Sequence, residues 1–249
     1  MPDTILRTEN LCKSYAGLRA NYNLNLELQR GEIHALIGPN GAGKSTAVAQ
    51  LSGELPPTSG RIFFEGADIT DLAVFERARA GVARSFQVTS VFDEMPVLDN
   101  LALALQAHQT HSYRFWSAVN RDTRLNQAAI ELGAQFGLEE HLQLPAGALA
   151  HGEKRQLEIA LTMAGNPRVL LLDEPMAGIG SGGSKVLTEM LAEFRGRYSI
   201  LLVEHDMDAV FALADRISVM VYGELIASGS VDEIRNNAVV QRAYLGEVD

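Results

Sequence analysis

The sequence predicts an α/β fold with a mixed sheet, an N-terminal antiparallel β subdomain and an inserted helical subdomain. Three short apolar runs, at residues 33–37, 169–172 and 199–203, have the length and composition of buried parallel strands. Residues 4–30 instead alternate between apolar and polar side chains, which is typical of antiparallel strands with one wet face. Helical periodicity from Leu125 to Phe136 indicates the helical part.

The composition limits the size and the class of the protein. With 249 residues, of which 47% are hydrophobic, the chain is long enough for one large α/β domain or a domain with an inserted lobe. The formal net charge of −10 argues against a general nucleic-acid binder, because phosphate contacts need clustered Lys and Arg. The single cysteine, Cys12, permits no intramolecular disulfide and is expected to be a small buried side chain.

The N-terminal strands are expected to expose one polar face. Tyr22, Leu24, Leu26 and Leu28 alternate with polar residues, so we expect these four side chains on one face of the sheet. The hairpin region also contains Tyr15, an aromatic residue on a turn. An aromatic ring beside a nucleotide site could stack on a purine, which is worth about 1–3 kcal/mol.

A glycine-rich loop follows the first apolar run and leads into a helix. It matches the pattern GxxxxGK[ST] and consists of Gly38, Pro39, Asn40, Gly41, Ala42, Gly43, Lys44, Ser45 and Thr46. The glycines let successive N–H groups point inward, Lys44 reaches the terminal phosphates, and the Ser45 hydroxyl can ligate Mg²⁺. The sequence therefore predicts a P-loop NTPase core that binds a nucleoside triphosphate, with Tyr15 stacked on its base.

A helical insert follows the first part of the core. Residues 56–60 predict a turn, and Arg61 to Phe64 predicts a strand that rejoins the sheet. From residue 98 to residue 149 the composition changes to leucines among alanines, then polar residues, then helical periodicity. We therefore expect an α/β core at residues 1–97 and 150–249, with a helical subdomain at 98–149. The three histidines at 108, 111 and 141 lack metal-ligand spacing.

Charged residues follow two of the buried strands. The run at 169–172 ends in Asp173 and Glu174, and the run at 199–203 ends just before His205. Because the carboxyl ends of parallel strands meet at one edge, Asp173 is expected to hold the Mg²⁺ shell and Glu174 to activate the attacking water. His205 is expected to hydrogen-bond the γ-phosphate or to orient Glu174. Gln87, after a short β-like run, could carry its amide oxygen to Mg²⁺ or to that water.

A second loop opens a helix at residues 149–153. Unpaired N–H groups at a helix start favour negative charge, so this loop is a second anion site. Five features, in their order and spacing, resemble the ATP-binding subunit of an ABC transporter across nearly the whole chain. They are the glycine-rich loop at residues 38–46, called the phosphate cradle below, Gln87, this second loop, the Asp173-Glu174 pair and His205. Three stretches, at residues 151–160, 204–207 and 242–246, are similar to the subunits that serve importers of branched-chain amino acids, other hydrophobic amino acids and urea.

The resemblance implies a role for each motif. Residues 38–46 would bind the phosphates of ATP, Gln87 would sense Mg²⁺ and the γ-phosphate, and Asp173 would support Mg²⁺. Glu174 would be the general base, with His205 as its partner. The signature loop would act on the ATP of a second chain, and it consists of Leu149, Ala150, His151, Gly152 and Glu153. Two such chains would close as a head-to-tail dimer with ATP sandwiched between them.

The resemblance also implies partners and a location. The chain would pair with a second ATP-binding subunit, identical or homologous, beneath transmembrane permease subunits, with a solute-binding protein outside the membrane. Val91, Phe92 and Met95 fall where the family meets its membrane subunit. The chain would therefore be a peripheral subunit on the cytoplasmic face of the inner membrane, and no apolar run reaches the roughly 18 residues that a membrane span needs.

Two positions depart from the family pattern. Ala150 stands where the family usually has serine, and a hydrogen bond to a charged phosphate is worth about 1.5–3 kcal/mol. The loop at residues 176–180 lacks the Asp or Asn that the family commonly has near Gly180. A heterodimer with two unequal sites and a tolerated loss of the hydroxyl are both compatible with these departures. Two further functions stay open, an ATPase of lipopolysaccharide export and a soluble ABC ATPase of the cluster-assembly type.

Overall fold

The computed structural model describes residues 3–85, 91–108 and 123–245. Gln87 lies outside the described residues. The chain forms two compact units, the first from Met1–Arg84, Arg168–Pro175 and Leu191–Asp249, and the second from Ser85–Pro167 and Met176–Met190. The insert that we predicted at 98–149 falls within the second unit, which extends beyond it on both sides.

An antiparallel sheet opens the first unit, as the alternating residues predict. Its strands, with all strands and helices numbered in chain order, are β1 (Thr4–Tyr15), β2 (Leu18–Leu24), β3 (Glu27–Gln29), β5 (Ser59–Phe64) and β6 (Ala67–Asp68). The strand order is β2-β1-β5-β6, and β3 pairs with β1. The strand predicted at Arg61 to Phe64 therefore belongs to this antiparallel sheet.

The expected alternation is wrong at the start of the Tyr22–Leu28 stretch. Leu24, Leu26 and Leu28 are buried, but Tyr22 is 41% exposed and Asn21 is fully buried. The cause lies at Asn23, whose φ of 50° puts it in the left-handed region and shifts the phase of the alternation. Cys12 also differs from the expectation, since it is only half-buried and its Sγ accepts from the Asn23 N–H at 3.3 Å.

The central sheet of the first unit has the order β11-β10-β4-β9-β8-β7. Its strands are β4 (Ile33–Ile37), β7 (Val82–Arg84), β8 (Val169–Asp173), β9 (Ser199–Val203), β10 (Arg216–Val221) and β11 (Glu224–Gly229). All neighbours pair in parallel except β10 and β11. Every residue of β4, β8 and β9 is buried, which confirms the three apolar runs as interior strands.

Helices cover this sheet. Those of the first unit are α1 (Lys44–Ser52), α2 (Val74–Ala80), α7 (Met207–Leu213), α8 (Val231–Arg235) and α9 (Ala238–Leu245). Two apolar clusters form the core of the first unit, one with Val48 of α1, Leu171 of β8 and Leu201 of β9, and the other with Val210 of α7. The parallel pairing of β4, β9 and β8, whose residues are all buried, therefore brings their carboxyl ends to one edge of the sheet.

The described part of the second unit is mainly helical. It contains α3 (Val97–Ala107), α4 (Thr123–Gln135), α5 (His151–Met163) and the start of α6 (Ser181–Ala192). Leu101, Ala129 and Leu157 are fully buried within this unit. No helix in residues 3–85, 91–108 and 123–245 is long and apolar enough to cross a membrane.

One buried histidine lies on the central sheet. Nδ1 of His34, in β4, is 3.0 Å from the Glu27 carbonyl, and its Nε2 is 2.8 Å from the Ser218 hydroxyl of β10. A carbonyl can only accept, so Nδ1 carries the proton of the neutral ring and Nε2 accepts from Ser218. Burial, and then the charge of Arg216, lower the pKa of His34 from 6.5 to about 4.

The free energy of unfolding should therefore decrease as the pH is lowered. In the unfolded chain His34 is protonated near pH 6.5, but in the folded chain only near pH 4. The contribution of neutral His34 to the free energy of unfolding is therefore complete above pH 6.5 and is lost as the pH falls through 4. The full loss is on the order of 3 kcal/mol. Denaturant unfolding measured between pH 7 and pH 4 should show this slope, and His34→Gln should flatten it. An identical slope in both proteins would contradict the assignment.

Candidate nucleotide site

The phosphate cradle lies between β4 and α1, as predicted. Gly43 is the N-cap residue of α1 with φ 100°, and a Cβ there would lie 2.3 Å from the Ala20 carbonyl oxygen. Lys44 is only 6% exposed, and its Nζ donates to the carbonyls of Gly38 at 2.7 Å and Pro39 at 3.1 Å. Burial lowers the pKa of Lys44, although the nearby charges of Glu174 and Asp173 oppose this effect. The loop thus closes over a buried ammonium group next to two acids.

Asp173, at the end of β8, faces the start of α1. The Ser45 hydroxyl lies 3.5 Å from Asp173 Oδ1, and an Arg84 guanidinium nitrogen lies 3.0 Å from Oδ2. The Asp173 side chain has no exposed surface. Burial raises the pKa of its carboxyl, while the positive charge of Arg84 pulls that pKa down. The hydroxyl and the carboxylate that we predicted as magnesium ligands are therefore neighbours.

Glu174 begins the turn after β8 in an uncommon conformation. Its φ is 49°, in the left-handed region that a non-glycine residue adopts at a cost of about 1–3 kcal/mol. Its backbone N–H donates to the Val203 carbonyl at the end of β9, at 2.8 Å. This bond fixes the turn, so the backbone of Glu174 has a defined position at the edge of the sheet. The side chain is half-buried.

His205 follows β9 and is more exposed than a core residue. Its side chain is 64% exposed, and its Nδ1 lies 3.8 Å from the carboxylate of the fully buried Glu204. No hydrogen bond joins His205 to Glu174 in the described part of the chain. Asp206 instead caps α7, because its Oδ1 accepts from the N–H groups of Asp208 and Ala209 at 3.0 and 3.2 Å. His205 is therefore free to turn toward a ligand.

Tyr15 ends β1 and is 47% exposed. The Lys13 ammonium lies 5.3 Å from the centre of its ring, within range of a cation–π contact. An exposed ring at this turn is available to a base, and its stacking on adenine stays a prediction.

The signature loop lies in the second unit. Leu149 is buried, and Ala150 is the N-cap residue of α5 without a side-chain hydrogen bond. The Glu153 carboxylate accepts from the Ala150 N–H at 2.8 Å, which occupies the backbone donor of the N-cap. The exposed His151 lies against Gly178, since its Nε2 is 3.2 Å from the place of a Cβ on that glycine. This loop therefore presents the start of a helix whose N-cap residue, Ala150, has no hydroxyl.

The first unit thus brings together the cradle, Asp173 and the backbone of Glu174. It also carries His205. Sequence reasoning assigned no role to Arg84, which contacts Asp173 directly. Its only sequence signal is its place at the end of a short β-like run, since the pairing of this strand with β8 is visible only in the structure. Among the described residues, no group of three or more His, Cys, Asp or Glu side chains could hold a metal ion. Any metal here would depend on the hydroxyl, the carboxylate and the phosphates together.

A phosphate cradle between a buried strand and a helix, with two acids at the end of another strand of the same sheet, defines a P-loop nucleoside triphosphatase. Comparisons with known proteins narrow this class. Residues 22–177 match the ABC transporter family, and residues 224–249 match the branched-chain amino acid ATP-binding cassette transporter family. The chain belongs to the ABC transporter family of ATPases, which confirms the resemblance, the fold class and the enzyme class that the sequence predicts.

Individual relatives are similar over almost their whole length. The high-affinity branched-chain amino acid transport ATP-binding protein LivG of Escherichia coli is 41% identical, over 99% of this chain and 100% of the relative. The lipopolysaccharide export system ATP-binding protein LptB of Escherichia coli is 36% identical, over 97% of each. The solved ADP conformation of an ATP-binding cassette of an ABC transporter is 28% identical, with a TM-score of 0.86 over 98% of this chain and 99% of that one.

Proposed function

We propose that this chain binds and hydrolyses ATP to power an importer of branched-chain or other hydrophobic amino acids, or of a related small solute such as urea. The observation that carries the ATPase half is the cradle beside the Asp173 carboxylate, with Ser45 Oγ and Asp173 Oδ1 3.5 Å apart. The match of residues 224–249 to the branched-chain amino acid transporter family supports the import half. Lipopolysaccharide export is the second candidate, supported by the likeness to LptB.

The site residues have separate roles in this proposal. Residues 38–46 hold the phosphates of ATP, and Lys44 moves from its carbonyl partners to the terminal phosphates. Glu174 takes the proton of the attacking water, and His205 turns its exposed ring to the γ-phosphate or to Glu174. Tyr15 stacks on the adenine. Gln87, outside the described residues, keeps the role that the resemblance implies.

The donor set at Asp173 fits Mg²⁺. A serine hydroxyl and a carboxylate are hard oxygen ligands, which Mg²⁺ takes together with phosphates and water. Ser45 and Asp173 would therefore hold the ion, Ser45 directly and Asp173 as a ligand or through water. The ion would neutralise charge on the β- and γ-phosphates.

The signature loop acts on a second chain. Residues 149–153 belong to a different unit from the cradle, and the free N–H groups at the start of α5 favour a phosphate. We propose that Leu149, Ala150, His151, Gly152 and Glu153 close over the ATP held by a second ATP-binding subunit. ATP then stabilises the closed dimer because it bonds both chains only in that state.

A loop of the second unit is the proposed contact with the membrane subunits. The buried Asn100 fixes it, because its Nδ2 donates to the carbonyls of Phe92 and Pro96 and its Oδ1 accepts from the Phe92 N–H at 2.9 Å. The Phe92 side chain is nevertheless 56% exposed. A rigid loop that exposes an aromatic ring suits a groove on a permease. We place the chain, as a peripheral subunit, on the cytoplasmic face of the inner membrane, with a solute-binding protein as an indirect partner.

Reconstitution with candidate partners tests the function. The chain is combined with branched-chain amino acid permease subunits in vesicles, and ATP hydrolysis is measured with and without a leucine-loaded binding protein. We expect several-fold stimulation by the loaded binding protein. Stimulation by lipopolysaccharide-export components alone would support export, and ATPase activity indifferent to both sets of partners would support a soluble ABC ATPase of the cluster-assembly type.

Ala150→Ser should strengthen the signature loop in two separate ways. Serine is a favourable N-cap residue, so α5 should gain about 0.5–2 kcal/mol of stability. Its hydroxyl can also reach a phosphate of the second chain, so ATP-driven association should tighten by about tenfold. Thermal unfolding measures the first effect, and analytical ultracentrifugation of the chain with its ATP-binding partner and ATP measures the second. A stabilised variant whose association is unchanged would show that the hydroxyl does not reach the nucleotide.

A further inference from the structure

Arg84 joins two carboxylates of very different exposure. One arm of its guanidinium pairs with Glu54, whose side chain is 38% exposed, and the other lies 3.0 Å from the fully buried Asp173. Arg84 is itself 9% exposed, and its Nε is buried without a hydrogen-bond partner in the described part of the chain. The Arg84 charge thus lies beside the buried Asp173 carboxylate, although this position leaves the Nε donor without a partner among the described residues.

Asp173 needs a positive charge when no metal is bound. A carboxylate without exposed surface is costly to keep ionised unless a cation pairs with it. Arg84 supplies that cation on Oδ2, while Oδ1 faces the Ser45 hydroxyl. The proposed magnesium ligands are this hydroxyl and this carboxylate. A metal ion and Arg84 would therefore share the same negative charge.

We propose that Arg84 is an internal counter-cation that holds Asp173 in the metal-free site and gives it up in part to Mg²⁺, so that Arg84 sets the Mg²⁺ concentration at which nucleotide is bound tightly. This inference rests on the proposed nucleotide site. Two cations beside one carboxylate repel each other, so Arg84 opposes the ion. The ion pair with Glu54 persists, so the guanidinium stays in place when its attraction to Asp173 weakens.

Thermal unfolding of the full chain tests the proposal without measuring turnover. The melting temperature is recorded in EDTA alone, in EDTA with ADP, and in ADP with increasing Mg²⁺. For Arg84→Gln we expect a melting temperature in EDTA lower by roughly 5 °C or more, because the buried Asp173 carboxylate loses the guanidinium that pairs with its Oδ2. We also expect the half-saturating Mg²⁺ concentration in ADP to fall by about tenfold, because the competing cation is gone.

Arg168→Gln is the matched control. Arg168 is an arginine of the same unit that also pairs with a glutamate, Glu65, but its side chain is 49% exposed. Its loss should leave the Mg²⁺ midpoint unchanged. Arg84→Lys keeps one positive charge but cannot reach both carboxylates with a fork, so its midpoint should lie between those of the parent and Arg84→Gln.

The outcomes separate the proposal from its foundation. A lower melting temperature with an unchanged Mg²⁺ midpoint in Arg84→Gln would show that Arg84 is only structural, and would overturn the proposal. If Arg84→Gln does not fold, Arg84→Lys decides: a midpoint at least twofold below the parent supports the proposal, and an unchanged one overturns it. A parent protein that gains no stability from ADP with Mg²⁺ would overturn the nucleotide site itself, and the proposal with it.

Discussion

Glu174→Gln is expected to retain ATP binding and to lose hydrolysis by about 10²–10⁴-fold, the usual contribution of a general base. The glutamine side chain has the same shape and can still hydrogen-bond a water, but it cannot accept the proton of that water. The backbone bond from residue 174 to the Val203 carbonyl does not involve the side chain, so the turn after β8 should persist. ATP should then accumulate in the closed dimer, because the reaction that opens it is blocked.

Single-turnover hydrolysis and size-exclusion chromatography with ATP, both on the assembled pair of ATP-binding subunits, measure the two effects. Glu224→Gln is the control, since Glu224 is an exposed residue at the start of β11 and the exchange is chemically the same. The control should hydrolyse ATP at the parent rate. Hydrolysis at the parent rate by Glu174→Gln as well would remove Glu174 from the role of base.

The cradle and the buried strands were predictable because each depends on local signals. The pattern of Gly43, Lys44 and Ser45 after an apolar strand allows few other structures, and continuous apolar runs predict buried parallel strands. Since parallel strands share the direction of their carboxyl ends, Asp173 could be placed near the cradle without knowledge of the strand order. The structure confirms these elements and the antiparallel N-terminal sheet.

Other features depend on tertiary contacts that no local pattern encodes. The exposure of Tyr22 follows from one residue, Asn23, in the left-handed region, which inverts the expected faces of Tyr22 and Asn21. Arg84 is separated from Asp173 by 89 positions in the chain, and only the pairing of β7 with β8 brings them together. The hydrophobic pattern gives strands but not which strands are neighbours, so this ion pair could not be read from the sequence.

The proposed catalytic groups are not assembled in the single chain. Glu174 and His205 are not hydrogen-bonded to each other, and the signature loop belongs to the other unit. Catalytic hydrogen bonds often form only in the complex with substrate. A ring as exposed as that of His205 gains its orientation from a ligand more readily than from the protein. This distribution is the one expected of the proposed site, which ATP and a second chain would complete.

Gly43→Ala is expected to abolish nucleotide binding, with a rise in the Kd for ADP of at least about 100-fold, or roughly 2.7 kcal/mol. A Cβ at this position would lie 2.3 Å from the Ala20 carbonyl oxygen, which is backbone and cannot rotate away. The φ of 100° adds strain that only glycine avoids. Because Gly43 is the N-cap of α1, relief of the clash must move the first N–H groups of the helix, which are the proposed donors to phosphate.

Gly66→Ala separates the clash from the strain. Gly66 has a φ of 81°, but nothing lies within 4 Å of the place of its Cβ, and it lies on the turn between β5 and β6. Its substitution should lower the melting temperature by a few degrees, from about 1–2 kcal/mol of strain, and leave ADP affinity unchanged. Calorimetric titration with ADP and Mg²⁺ compares the two variants. A Kd for Gly43→Ala within threefold of the parent would mean that α1 can shift without loss of the phosphate site, and the rigid cradle would then be the wrong description.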